Sequence, residues 1–278
     1  MFLLDPNRPI QAEVQRVSLE ELSSSLSELA DPELAPDAAV HSVRKRLKRL
    51  RAVVRLVRRE LGPAFSLSNR TFRDAGRRLS ALRDSRVASD TLSLLEELNR
   101  HQLSKEGQHH LAAVGEALRG LTSRKSRGSR YADIGTQVIS DLEPALDWPG
   151  GWRFERTGFA AVEEGLSRTY RDGRSAMARA RTTGEVEAFH EWRKRVKDHW
   201  HHTQLIAPHR ANRLRNRAER LHRLSESLGQ LQDLQVLETA VGEMGVGSAT
   251  ERLLEKLVRE QRARLQTVSL KAGDSLYR

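Results

Sequence analysis

"VHSVRKRLKRLRAVVRLVRREL", residues 40 to 61, carries two rhythms at once. Its apolar residues Val40, Val43, Leu47, Leu50, Val54, Val57 and Leu61 alternate at spacings of three and four, the seam that an α-helix buries against neighbours. One place behind six of them come His41, Arg44, Lys48, Arg51, Arg55 and Arg58, a second stripe about 100° around the same cylinder. That stripe runs roughly 25 Å at ~1.5 Å per residue. Residues 41 to 51 hold no acid, and like charges at i,i+4 cost a few tenths of a kcal/mol per pair, so stability alone does not select them.

The same three-four rhythm continues along most of the chain, and few segments alternate in β-branched or aromatic residues, which predicts an all-α protein. Candidate helices cover 9–30, 37–61, 67–82, 85–100, 105–121, 131–143, 156–181, 185–207, 209–229, 233–243 and 248–270. Two breaks, TSRKSRGSR at 122–130 and DWPGGW at 147–152, separate a front half from a back half. The first reads as a flexible basic connection.

The halves are related. At a constant offset of 149, Phe189-His190 matches Val40-His41, Arg193-Lys194-Arg195 matches Arg44-Lys45-Arg46, and Lys197 matches Lys48. Leu228, Leu231, Asp233 and Val236 then match Leu79, Leu82, Asp84 and Val87 without a gap. The expected architecture is one domain over 9–270, with an N-terminal helical repeat at 9–121, a basic linker and connecting segment at 122–155, and a C-terminal repeat at 156–270. Each repeat is expected to form a four-helix bundle, the two related by a pseudo-twofold axis.

Further basic stripes follow their apolar seams by one residue. Arg73, Arg77 and Arg83 trail Phe72, Gly76 and Leu82, while His190, Arg193, Lys197 and His201 accompany Phe189, Trp192 and Val196. These stripes are candidates to line a polyanion-binding groove; the alternative is solvated faces of an arginine-rich protein. His41 and His190 open their stripes as potential phosphate donors, or as structural residues of a first helical turn. Asp84 and Asp233 read foremost as caps of following helices, with Asp84 orienting Arg83 or an arginine across the groove as second choice.

The chain has 278 residues, a formal charge of +11 and no cysteine. The charge draws polyanions, and the arginine bias favours phosphate, whose oxygens a planar guanidinium grips in pairs. The missing thiols remove disulfides and thiolate metal sites and fit a cytoplasmic setting. No window offers the roughly 18 apolar residues of a membrane span.

"VHSVRKRLKRLR" and "FHEWRKRVK", each followed some forty residues on by "LRDSRV" or "LQDLQV", resemble the CHAD family of conserved-histidine α-helical domains. The resemblance covers about 9 to 270. It implies paired four-helix bundles that bind inorganic polyphosphate on a basic surface and associate with polyphosphate granules. By position it points to His41, Arg44, Lys48, Arg49 and Arg51, then to His190, Arg193 and Lys197, with Lys45 and Lys194 beside them. This chain departs where Trp200 replaces a further basic residue and where Gln232 stands opposite Arg83. No acid-rich triphosphate-tunnel domain accompanies it, so binding without catalysis, and without a cofactor, is expected.

A sequence-neutral nucleic-acid binder is the second choice, using the same charges and an arm at Arg124, Lys125, Arg127 and Arg130. An enzyme acting on polyphosphate is the third. His199, His201 and His202 lack the acids or thiolates of a metal sphere. Adjacent His109 and His110 read as surface, and Trp148 and Trp152 as brackets of a packed turn around Pro149-Gly150-Gly151. Phosphate-loop, zinc-protease and nucleophile-elbow motifs are missing.

Overall fold

A computed structural model describes residues 2–80, 84–125 and 128–278, with side chains left out of account at 84–86, 121–125, 128–130 and 209–213. The helices are α1 (Ile10–Ala30), α2 (Pro36–Leu56), α3 (Arg58–Leu61), α4 (Ala64–Ser80), α5 (Asp84–Asn99), α6 (Lys105–Lys125), α7 (Gly128–Leu142), α8 (Trp148–Gly151), α9 (Ala160–Thr183), α10 (Val186–Ile206), α11 (Ala211–Met244) and α12 (Ser248–Leu276). Single 3₁₀ turns lie at Glu143–Leu146 and Ala207–Arg210. There is no strand among the described residues, and no helix is long and apolar enough to cross a membrane.

Some element boundaries fall near the offset of 149 read from the sequence. Pro36–Leu56 moved by 149 becomes 185–205, one residue from Val186–Ile206, and Ile10–Ala30 becomes 159–179, inside a residue of the start of α9. By the same shift α4 falls within α11 and α6 within α12, while α5 becomes 233–248, which begins inside α11 and runs past its end to the first residue of α12.

That fusion corrects the expected pair of helices at 209–229 and 233–243: α11 is one helix of 34 residues. Its apolar series Leu221, Leu224, Leu228, Leu231, Leu234, Leu237 and Val241 passes through the expected break without losing step, and every member is buried. Gly229 costs only about 1 kcal/mol relative to alanine in a helix, too little to end one that packs along its length. Asp233 therefore lies mid-helix and caps nothing, against expectation. Asp84 opens α5, but its side chain lies outside the described residues. The connection at 122–130 is also more regular than expected, because α6 continues through Lys125 and α7 begins at Gly128.

The chain divides into two compact units. The first comprises Met1–Ala81, Gly128–Arg174 and Arg195–His222, the second Leu82–Arg127, Ser175–Lys194 and Arg223–Arg278. Each draws on both halves of the sequence, so compactness and repeat partition the chain differently.

In the first unit α2 packs against α1 and α4, while α7 lies on α1 and α4. The seam read from sequence is the buried one: Val43, Leu50, Val54 and Val57 are fully buried and Val40, Leu47 and Leu61 nearly so. α9 crosses the end of α2 at Gly165, where an added Cβ would stand 1.9 Å from the Leu56 carbonyl oxygen; only glycine permits that approach. The N-terminal segment is tied in as well. Phe2 and Leu4 are buried, Leu4 N–H donates to the Leu205 carbonyl at 2.9 Å, and the Glu13 carboxylate accepts from Asp5 N–H and from Arg8 and Arg16.

In the second unit α5 packs on α6 and both touch α12. Its core includes Leu92, Leu95, Leu111, Leu118 and Trp192. Gly273 of α12 lets Trp192 and Met177 in so closely that a Cβ there would lie 2.7 Å from the indole and 2.5 Å from the sulfur.

Candidate polyanion-binding site

The charge run in α2 splits between two faces of the helix. Arg46 and Arg49, three residues apart, turn toward α1. Arg46 donates to Glu28 at 2.7 and 3.0 Å and to Glu21 at 3.3 Å, and Arg49 donates to Glu21 at 3.2 Å while its guanidinium lies 4.9 Å over the Phe2 ring. The Glu21 side chain is 6% exposed. Arg46 draws Glu28 below the usual carboxylate range, against the opposing effect of burial. These two arginines fasten α2 to α1, so Arg49 is engaged on a structural face.

Arg51 and Arg55 look elsewhere, toward a cluster inside the first unit. Arg51 is half-buried, donates to Asn69 Oδ1 at 3.5 Å, and has its pKa pushed down to about 10. Burial is the main cause, and the charges of Arg55, Arg73 and Arg77 add to it while Asp198 opposes it. Four arginines from α2 and α4 thus share one neighbourhood, two i,i+4 pairs on helices that pack together. Arg55 grips Asp198 of α10 through both carboxylate oxygens, at 2.7 and 2.6 Å. Arg73 leans on Asp74 at 2.8 Å, and Arg77 is exposed.

One turn up α2, the charges of Lys48 and Arg49 reach the C-terminal part of α10. His201 there is buried, stacked on Trp200 with ring centroids 4.5 Å apart and edge-on to Phe2. Burial drives its pKa well below the ordinary value, reinforced by Lys197, His202, Arg49 and Lys48. His201 consequently lies beneath the basic surface as a neutral packing residue, where the sequence placed it on the stripe. Lys48 and Lys197 remain at the surface around it, exposed and half-exposed, so the stripe of the first repeat meets one cation of the second in this unit. His41 and Lys45 are exposed near the start of α2, and Arg44 is half-buried.

The neighbouring histidines are structural too. His202 donates from Nε2 to the Ala52 carbonyl at 2.8 Å, and burial lowers its pKa to about 4. The neutral ring therefore accepts at Nδ1 from the Thr169 hydroxyl, 2.8 Å away. His199, buried beside Tyr170 and Arg217, is lowered to about 3, by burial first and by Arg217 next. No metal-holding cluster occurs among the described residues.

In the second unit, the N-terminal part of α10 carries His190, Arg193 and Lys194. Arg193 is half-buried on the face of Gly229, where a Cβ would come within 3.3 Å of Nη2. Its pKa is lowered by burial and supported by the charge of Asp233. His190 is lowered by burial and by Lys194, with Glu187 and a hydrogen bond to Gln232 acting the other way. Exposed Lys194 pairs with Glu191.

Arg83 and Arg127 lie outside the described residues, as do the side chains of Arg124, Lys125 and Arg130. His109 is exposed as read. Trp152 is buried, and Trp148 packs 6.2 Å from Phe72, in keeping with a packed turn.

Sequence reasoning passed over Asp198 and Gly229. The signal for Asp198 was available, since at the offset of 149 it stands opposite Arg49, a reversal of charge between copies. The acids that claim Arg46 and Arg49 were available as well: Glu21 and Glu28, seven residues apart, share one face of α1.

The family model for the CHAD domain matches residues 19–242 of this chain. No curated protein matches it.

Proposed function

The chain belongs to the CHAD family, and from that premise we propose that it binds inorganic polyphosphate without altering it chemically. The observation that carries this reading is the environment of Arg51, a guanidinium half-buried among Arg55, Arg73 and Arg77 and pushed down to about 10 by burial and like charge. Such a cluster stores repulsion that a dense anion relieves. Polyphosphate supplies a charge on every unit and no sugar or base to crowd the groove. Phe72, the aromatic residue next to Arg73, is 1% exposed and offers no stacking platform to a nucleobase.

Lys48 and Lys197 extend the surface along α2 and α10, with Arg44, Lys45 and His41 farther along α2. In this reading the duplicated stripe arises from two four-helix repeats, each contributing one basic helix, and His190, Arg193 and Lys194 form the second contribution. Binding of this kind would place the protein in the cytoplasm at polyphosphate granules.

Calorimetric titration with polyphosphate of defined chain length tests the assignment. Charge-assisted contacts contribute on the order of 1.5–3 kcal/mol each. Arg51→Gln with Arg77→Gln should therefore weaken binding about a hundredfold, with helical content unchanged. Equal affinity in the variant contradicts the site, and shortening of the polymer on incubation with magnesium contradicts the non-catalytic part.

A further inference from the structure

Two arginines of the basic cluster, Arg51 and Arg55, lie beside an acid of α10. Asp198 accepts from Arg55 through both carboxylate oxygens, and the two side chains are only 14% and 27% exposed, so this pair is partly withdrawn from water. Its place in the sequence is unusual. The repeat puts it opposite Arg49, and two residues on Trp200 stands opposite Arg51, so the second copy has exchanged two cations for an acid and an indole. The acid has not turned outward to solvent. It occupies the arginine of α2 that lies one helical turn from Arg51, and its field reaches Arg51 and His202 as well.

We propose that Asp198 is a tethered competitor for Arg55 that sets the affinity of the cluster for polyphosphate. The inference rests on the polyphosphate reading of this same site. A carboxylate fixed to the fold is present at Arg55 at high effective concentration, so an incoming phosphate must displace it or forgo that arginine. Phosphates bound at Arg51 meet its negative charge besides. A single phosphate cannot offset this with one or two contacts, whereas a polymer engaging several cations at once can. Asp198 thereby favours chains over orthophosphate.

Titration of the full chain with sodium polyphosphate of defined length, before and after Asp198→Asn, reads the effect. The isosteric amide should tighten binding about tenfold, a 1.4 kcal/mol difference. Asp198→Ser is the second variant should the amide disturb folding, which circular dichroism monitors. The same comparison in an Arg55→Gln background should show a gain below about twofold, because the arginine competed for is gone. A gain that persists undiminished there means that Asp198 acts only through bulk charge and overturns the proposal. Unchanged or weaker binding by Asp198→Asn, with the native chain binding normally, overturns it alone. Failure of the native chain to bind polyphosphate removes the site assignment and this inference together.

Discussion

At the scale of single residues, burial decides which cations and histidines are available to a ligand. His199 and His202, lowered to about 3 and about 4, are neutral in the fold and titrate near 6.5 once unfolded. Because their folded values are depressed, the unfolded chain binds the extra protons first. Stability is complete above about pH 6.5 and falls as the pH drops toward 4 and 3, by about 2 kcal/mol for each histidine at pH 5. Glu13 acts in a separate window: Arg16 holds it at about 2, so its contribution is intact above 4.5 and is lost only at stronger acidity. Urea midpoints measured at about pH 7.5 and pH 5 should therefore differ clearly, and His202→Phe should flatten the dependence. Equal midpoints in the native chain would contradict the neutral buried rings. The sequence could place these histidines on α10 but not their depth, since depth depends on α2 and α9 packing over that turn through Ala52 and Thr169.

At the scale of elements, the helices were legible because burial imposes one period throughout. The seam from Val40 to Leu61 was read residue by residue and is buried as read, although the expected single helix 37–61 is divided at Val57 into α2 and α3. Where the reading failed, at 230–232, it took Asp233 as the cap of a new helix although the apolar series never broke step. A direct check follows from that difference. Gln230 is exposed and lies inside α11, so Gln230→Pro should lower stability by about 3 kcal/mol or more. A loop between two helices would tolerate it with little change in the thermal midpoint. The basic stripe was legible only in part, for a comparable reason. Spacing along one helix shows which cations share a face, but it does not show which acids wait on other helices. Arg49 meets Glu21 and Arg55 meets Asp198 across long separations in the chain, and those pairings belong to packing.

At the scale of the whole molecule, a formal charge of +11 is the context for any anionic partner. Net charge accelerates encounter with every polyanion and chooses none. In the proposed reading, selection rests on the local arrangement in the first compact unit, where Arg51 and Arg55 lie beside Asp198, Arg73 pairs with Asp74 near Arg77, and Lys48 and Lys197 continue the surface. The repeat predicted from sequence a basic helix in each half, but not that each compact unit would draw on both copies. That outcome depends on α9, α10 and α11, each of which supplies residues to both units.

Competition measures the central claim most directly. Long-chain polyphosphate bound to the 278-residue chain at about 150 mM salt, where exposed electrostatics are already screened, is challenged with duplex DNA at equal phosphate concentration. The account predicts that polyphosphate stays bound and that Arg51→Gln with Arg77→Gln releases it. Displacement by DNA, or retention by the double variant, would contradict it.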